Sequence, residues 1–168
     1  KNETLIFFTS DNGTSAKNYI RHEDRDLIRE PPVTSTVNGR QIVGQKGRFN
    51  DWGTCVPTIA RWPGTIPAGS TTDILADGTD LLPTFAALGR QTKVPHPTDG
   101  ASFASLLTGG STPSRPWVSP QTKDGIAVRT RDWKLLHDGQ LFDMRRNPTQ
   151  EVAIPELNDT PESKAARV

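Results

Sequence analysis

Hydrophobic residues in this chain come in short runs cut by glycine and proline. The run around which the rest is organised is Leu5-Ile6-Phe7-Phe8, leading into Thr9-Ser10-Asp11-Asn12-Gly13. Four consecutive large apolar residues, then small polar ones, predict a buried strand running straight into a turn. An all-apolar run of this length suits a parallel-sheet strand covered on both faces, although periodicity alone leaves a short buried helix open. In open α/β sheets, ligands sit beyond the carboxyl ends of the strands, so Asp11 and Asn12 fall at an expected ligand-binding edge. Both offer oxygen donors to a hard cation such as Ca²⁺ or Mg²⁺. The plain alternative is an Asx turn in which Asn12-Gly13 simply reverses the chain.

Further along, residues 16–30 are polar and charged and read as a short solvated helix or an ordered loop, stopped by Pro31-Pro32. His22 is the one residue there with catalytic potential, and a surface histidine is its plain alternative. Thr, Val and Ile over residues 34–43, with Asn38-Gly39 in the middle, predict a hairpin. Gly44-Gln45-Lys46-Gly47 follows, a lysine between glycines. It could bring backbone and ammonium close to an anion, or be only an exposed turn. It is not a Walker loop, because that glycine spacing and the hydroxyl residue after lysine are missing. Residues 56–60 predict a second short buried strand, closed by proline and glycine turns. Residues 80–89 predict a compact helix with Asp80 as N-cap, Pro83 in its first turn and Gly89 as its stop. Leu81, Phe85 and Leu88 fall on one helical face, expected to pack on the sheet.

The C-terminal stretch has a different rhythm. Residues 110–124 read as a connection, and residues 126–130, 133–137 and 140–143 as three short antiparallel strands. Asp138-Gly139 turns the last two. Thr160-Pro161-Glu162 opens a helix, with threonine as cap and proline at its first position. Trp133, Leu135, Leu141 and Phe142 are expected in the core, and His96 and His137 are read as structural.

Composition narrows this picture. The chain has 168 residues, 33% hydrophobic, with 14 Gly and 14 Pro, which is lean in core formers and rich in turns. Its 20 basic and 19 acidic residues give a net charge of +1. No nucleic-acid electrostatics stand out, and no apolar run approaches a membrane span. The single Cys55 excludes an intrachain disulfide or a cysteine-based zinc cluster. A start without methionine, just ahead of a core strand, reads as a fragment boundary. An apolar strand cut from its sheet carries an exposed edge, so either self-association that pairs that edge or a rearranged sheet is expected.

These motifs form an ordered series: Phe-Thr-Ser-Asp-Asn-Gly, Gly-x-Lys-Gly, Val-Pro-x-Ile-x-x-Trp-Pro-Gly-x-Ile-x-Ala-Gly, Thr-Asp-Leu-Leu-Pro-Thr, then Asp99-Gly100-Ala101-Ser102-Phe103 and Leu106-Leu107-Thr108-Gly109. Val128-Arg129-Thr130-Arg131-Asp132-Trp133-Lys134-Leu135-Leu136 and Leu141-Phe142-Asp143-Met144-Arg145-Arg146-Asn147-Pro148 continue it. The series, over roughly residues 4–151, resembles the C-terminal portion of a sulfatase, of the arylsulfatase family in the alkaline-phosphatase-like superfamily. The resemblance implies an α/β fold. Residues 1–110 would be the C-terminal part of the catalytic domain, and residues 111–168 a small subdomain with an antiparallel sheet and a C-terminal helix. It implies that Asp11 and Asn12 are ligands of a catalytic divalent cation, Ca²⁺ ahead of Mg²⁺, and that Lys46 contacts the sulfate. The physical logic agrees, since a cation and a lysine both hold an anionic ester and offset charge developing on the departing oxygen.

Departures from the family pattern are also visible. Where the resemblance expects Glu-Gly-Gly-x-Arg-Val-Pro, this chain has Asp51-Trp52-Gly53-Thr54-Cys55-Val56-Pro57. The family's formylglycine arises in Cys/Ser-x-Pro-x-Arg, upstream of Asp-Asn-Gly, and is expected in the parent enzyme rather than in this chain. Cys55-Val56-Pro57 begins that motif but has Ile59 in place of Arg. Ser111-Thr112-Pro113-Ser114-Arg115 matches it by letter but lies downstream, in a linker-like stretch. The expectation is therefore a sulfuric ester hydrolase, acting on aryl or carbohydrate sulfates, for which this chain supplies part of the site and is silent alone. A phosphomonoesterase or phosphonate-ester hydrolase of the same superfamily is one alternative, and a non-catalytic sulfated-glycan-binding module another. The family resemblance suggests a periplasmic or extracellular location.

Overall fold

The computed structural model describes residues 3–37, 39–91, 97–111, 115–145 and 151–168. Along the chain come strands β1 (Ile6–Thr9), β2 (Tyr19–Glu23), β3 (Asp26–Glu30), β4 (Thr34–Val37) and β5 (Arg40–Val43), then helix α1 (Asp51–Thr54) and β6 (Thr58–Arg61). Helices α2 (Leu81–Leu88) and α3 (Ala104–Leu107) follow. The chain ends with β7 (Gln121–Thr122), β8 (Gly125–Arg129), β9 (Trp133–Leu136), β10 (Leu141–Asp143), β11 (Ala153–Ile154) and helix α4 (Pro161–Ala165). Every strand pairing among the described residues is antiparallel.

Two compact units divide the chain, and both are discontinuous in sequence. One holds the described residues up to Thr9 together with Thr58–Val118. In it β1 pairs with β6, Ile6 opposite Arg61 and Phe8 opposite Ile59. This corrects the parallel, doubly covered strand expected from the apolar run. With one partner strand and helices against one face, the pleat divides the run between two environments. Phe7 turns inward, edge-on to Phe85 at 5.8 Å and stacked on Phe103 at 6.2 Å between ring centres. Ile6, Phe8 and Ile59 share the other face and are more than half exposed.

Helix α2 forms where its periodicity predicts, but its ends differ from expectation. Asp80 makes no capping bond to it. Its carboxylate instead accepts the N–H groups of Asp77 at 2.9 Å and Ala101 at 2.6 Å, and pairs with Arg115 at 2.5 Å. A buried carboxylate gains more from several such donors than from one cap. At the other end, Gly89 keeps a negative φ and Arg90 takes the left-handed conformation at φ +58°. The apolar helix face is only partly covered: buried Thr84 accepts the Phe103 N–H at 3.0 Å, while Phe85 remains half-exposed.

The other unit holds Ser10–Pro57 and Ser119–Val168. Its main sheet has five strands in the order β11-β10-β9-β8-β7. The three predicted strands are β8, β9 and β10, and two-residue strands flank them. Ala127, Leu141 and Met144 form the buried apolar core, and Lys134 is buried with them. Gly139 takes φ +84° in the turn between β9 and β10, as Asp-Gly predicts. Thr160 caps α4 reciprocally with Ser163. Residues 16–30 correct another expectation, since they form the β2–β3 hairpin, with Asp24 at φ +53° supplying the turn. The hairpin of residues 34–43 forms as predicted, although Asn38 lies outside the described residues. No described helix is long and apolar enough to cross a membrane.

Candidate functional site

Three backbone segments meet so closely that glycine is required at each contact. The Asp11-Asn12-Gly13 turn docks on α1, with the Gly13 N–H donating to the Gly53 carbonyl at 3.0 Å. A Cβ at Gly13 would lie 2.0 Å from the Trp52 oxygen. The loop bearing Lys46 docks on the same turn, its backbone N–H donating to the Thr14 carbonyl at 2.9 Å. A Cβ at Gly44 would lie 2.3 Å from the Thr14 oxygen, and one at Gly53 2.5 Å from the Arg48 oxygen. All these distances are far inside van der Waals contact, so no larger residue fits without moving backbone. Helix α1 is short, and Asn50 starts it by accepting the Gly53 N–H at 3.0 Å. Of the two glycines that the resemblance expects after the acidic residue, only Gly53 is present, and Gly53 makes the close approach. Trp52 occupies the other position, and its carbonyl oxygen is the atom that a Cβ at Gly13 would meet.

The loops bearing the three predicted site residues thus come together. Asp11 and Lys46 are exposed and Asn12 is half-buried. Among the described residues, neither the Asp11 carboxylate nor the Lys46 ammonium has a hydrogen-bond or ion-pair partner. The turn itself is closed by the Ser10 hydroxyl, which donates to the Asn12 carbonyl at 2.9 Å, so the Asn12 amide is not consumed in holding it. A carboxylate and an amide oxygen on consecutive residues are of the donor type a hard cation takes. They leave most of a sphere of about six to eight oxygens to other groups. No cluster of three or more His, Cys, Asp and Glu residues suited to a metal occurs among the described residues.

Beside this junction lies an ionic network that motif reading missed. The Asp51 N–H donates to Glu151 Oε1 at 2.7 Å, and Glu151 Oε2 pairs with the ammonium of Lys134. Lys134 also lies over the Phe142 ring, 5.1 Å from its centre. The Asp51 carboxylate faces the Arg129 guanidinium at 3.7 Å. Burial pushes the Asp51 carboxyl above its usual range, outweighing the opposing pull of Arg129. Cys55 stands where the resemblance expects arginine, and the guanidinium near Asp51 comes from β8 instead. Desolvation, and then the Asp51 carboxylate, push the exposed Cys55 thiol up. Such a thiol keeps its proton, the opposite of an activated one. Nothing in the sequence pairs Glu151 with residues so distant, and alternation along β9, with Trp133 and Leu135 expected in the core, assigns Lys134 to the opposite face, whereas the structure buries it.

The remaining candidates lie apart. His22 is exposed on β2, and His137 is exposed with its ring 6.1 Å from that of Phe49. His96 lies outside the described residues, as do Thr112, Pro113 and Ser114 of the serine motif. Arg115 of that motif is engaged by Asp80 and by Asp77, the latter at 3.3 Å.

No protein-family model matches the chain. Arylsulfatase A of Homo sapiens is 34% identical over 139 residues, 79% of this chain and 24% of its own length. Steryl-sulfatase of Homo sapiens is 33% identical over 113 residues, 66% of this chain and 18% of its own length. Among solved structures, that of a 2-O GAG sulfatase superposes with a TM-score of 0.59 and 28% identity, over 76% of this chain and 30% of the other. The chain therefore spans a quarter or less of the curated relatives named here.

Proposed function

We propose, on the premise that this chain resembles the C-terminal portion of a sulfatase, that it supplies part of the metal and sulfate site of a sulfuric ester hydrolase. The whole enzyme adds water across the ester, releasing an alcohol and sulfate. Asp11 and Asn12 hold a divalent cation, Ca²⁺ ahead of Mg²⁺, and Lys46 binds the sulfate. The cation, when bound, draws charge from the sulfate oxygens. Lys46 adds a fixed positive charge beside the same group, stabilising charge that builds as the ester bond breaks. The observation that carries this reading is the 2.9 Å bond from the Lys46 backbone to Thr14, which holds the lysine loop against the Asp11-Asn12 turn. Within this chain the Cys55 thiol is disfavoured as a nucleophile because it keeps its proton, and Arg115 of the serine motif is committed to Asp80, so the group that attacks sulfur would be the formylglycine that the resemblance expects in the parent enzyme.

The test is sulfate release from a chromogenic aryl sulfate, with and without Ca²⁺, by the whole enzyme and by the 168-residue chain. Ca²⁺-dependent turnover is expected from the whole enzyme only. Asp11→Ala and Lys46→Ala are each expected to lower it by about 100-fold, the usual scale for losing one preorganised charge-stabilising group. Full activity in either variant, or metal-dependent turnover by this chain alone, would overturn the reading.

A further inference from the structure

Helix α1 has a single turn, and a turn that short does not hold itself in place. Both loops of the candidate site nevertheless rest on it. Its Gly53 carbonyl accepts the Gly13 N–H at 3.0 Å, one residue from Asn12. A Cβ at Gly53 would lie 2.5 Å from the Arg48 carbonyl oxygen and 2.6 Å from that of Gln45, the residues that bracket Lys46 and Gly47 in the chain. A shift of α1 therefore moves the Asp11-Asn12-Gly13 turn and the lysine loop together.

Asn50 closes the helical turn from within, accepting the Gly53 N–H. Its anchor from outside is Glu151. The N–H of a first helical residue has no partner inside its own helix, and that of Asp51 donates to Glu151 Oε1 at 2.7 Å. A bond to a carboxylate is stronger than one to a neutral acceptor, and this carboxylate is fixed at its other oxygen by buried Lys134 on β9. Two residues on, β11 begins and pairs with β10, which fixes the backbone that carries Glu151. All these groups lie in one compact unit.

We propose that Glu151 is a positioning residue for the cation and sulfate site, acting through the Asp51 N–H and α1 on the Asp11-Asn12-Gly13 turn and the Lys46 loop. The inference rests on the site reading above and adds a residue that touches neither the cation nor the sulfate. Lys134 aims the carboxylate, and the bond to the Asp51 N–H transmits its position to the site.

The test separates that bond from the charges with two pairs of variants of the whole enzyme. Glu151→Gln/Lys134→Met and Glu151→Ala/Lys134→Met both lack the ion pair, but only glutamine keeps an oxygen for the Asp51 N–H. Asp51→Ala and Asp51→Pro both lack the Asp51 carboxylate, but only proline lacks the N–H. Proline fits at this first helical position, after an extended Asn50 with ψ 161°. The readouts are the Ca²⁺ dissociation constant and the amide hydrogen exchange of peptides covering residues 10–16, 44–54 and 157–168.

Within each pair, the variant without the bond is expected to bind Ca²⁺ about tenfold more weakly, the scale of one lost hydrogen bond to a charged group. Its residues 10–16 and 44–54 are expected to exchange about tenfold faster than in the other member of the pair, with residues 157–168 unchanged. Either pair decides alone should a variant of the other fail to fold. Equal Ca²⁺ affinity within a folded pair would overturn the proposal. Exchange that rises as much over residues 157–168 as at the site would also overturn it, because the loosening would then be general. Ca²⁺ binding that Asp11→Ala leaves untouched is a distinct pattern, and it would overturn the site reading together with this one.

Discussion

Glu151 accepts the backbone N–H of Asp51 at 2.7 Å, joining positions 100 residues apart. That bond ties the first turn of α1, on which the Asp11-Asn12-Gly13 turn rests, to the edge of the five-stranded sheet. The second oxygen of Glu151 neutralises Lys134, the most deeply buried charged side chain among the described residues of this unit. One carboxylate therefore supports the candidate site and satisfies a buried cation.

Removing that carboxylate is expected to be costly. Lys134 is 2% exposed and Glu151 11% exposed at the side chain, so Glu151→Ala leaves an ammonium buried without its counter-charge. Breaking a pair of this kind costs about 3 kcal/mol, measurable as a lowered urea midpoint. Lys134→Met in the Glu151→Ala background is expected to restore much of the loss, because the cost is the unpaired charge rather than the missing bond. No rescue would show that Glu151 acts mainly through the Asp51 N–H.

Most of the element pattern was legible because local rules govern it. Asp138-Gly139 and Thr160-Pro161 carry their turn and cap chemistry in two residues each. The close backbone approaches at Gly13, Gly44 and Gly53 fall on glycines of the family motifs, whereas the roles of Asp11, Asn12 and Lys46 come from the family resemblance alone. The β2–β3 hairpin was not legible, since its many charges mask the alternation and an aspartate, not glycine, takes the left-handed turn. The single covered face of β1 was not legible either, because a run of four apolar residues does not say how many neighbours will cover it. Lys134 and Glu151 find each other only through the fold.

Asp51 should make stability depend on pH. Burial raises its carboxyl above the ordinary 3.8, with Arg129 opposing less strongly. The folded state then holds this proton more tightly than the unfolded chain does. Stability from this group is therefore fully present below the unfolded value and declines as pH rises through the folded one. Asp51→Asn removes the titration, so the variant's stability relative to the parent chain is expected to improve steadily from about pH 4 upward. Urea unfolding across that range reads the difference, which cancels the opposite contributions of Asp124, Asp138 and Asp159, whose carboxyls are held low by hydrogen bonds. A difference that is flat, or that falls with pH, would contradict the desolvation argument.

Phe8 and Ile59 face each other across β1 and β6 and are 61% and 59% exposed, with Ile6 beside them at 53%. Large apolar side chains on a pair of strands with open edges are a template for association, through both burial and edge pairing. Phe7, on the opposite face, already fills its place against Phe85 and Phe103, so the outward face can change without disturbing that packing. The chain is expected to self-associate with rising concentration in sedimentation velocity. Phe8→Lys/Ile59→Lys is expected to return it to monomer with its unfolding midpoint little altered, since both side chains are mostly in water already. A parent chain that stays monomeric at every concentration would mean that the exposed face is tolerated alone, and the open edge of β1 would then need another explanation for its solubility.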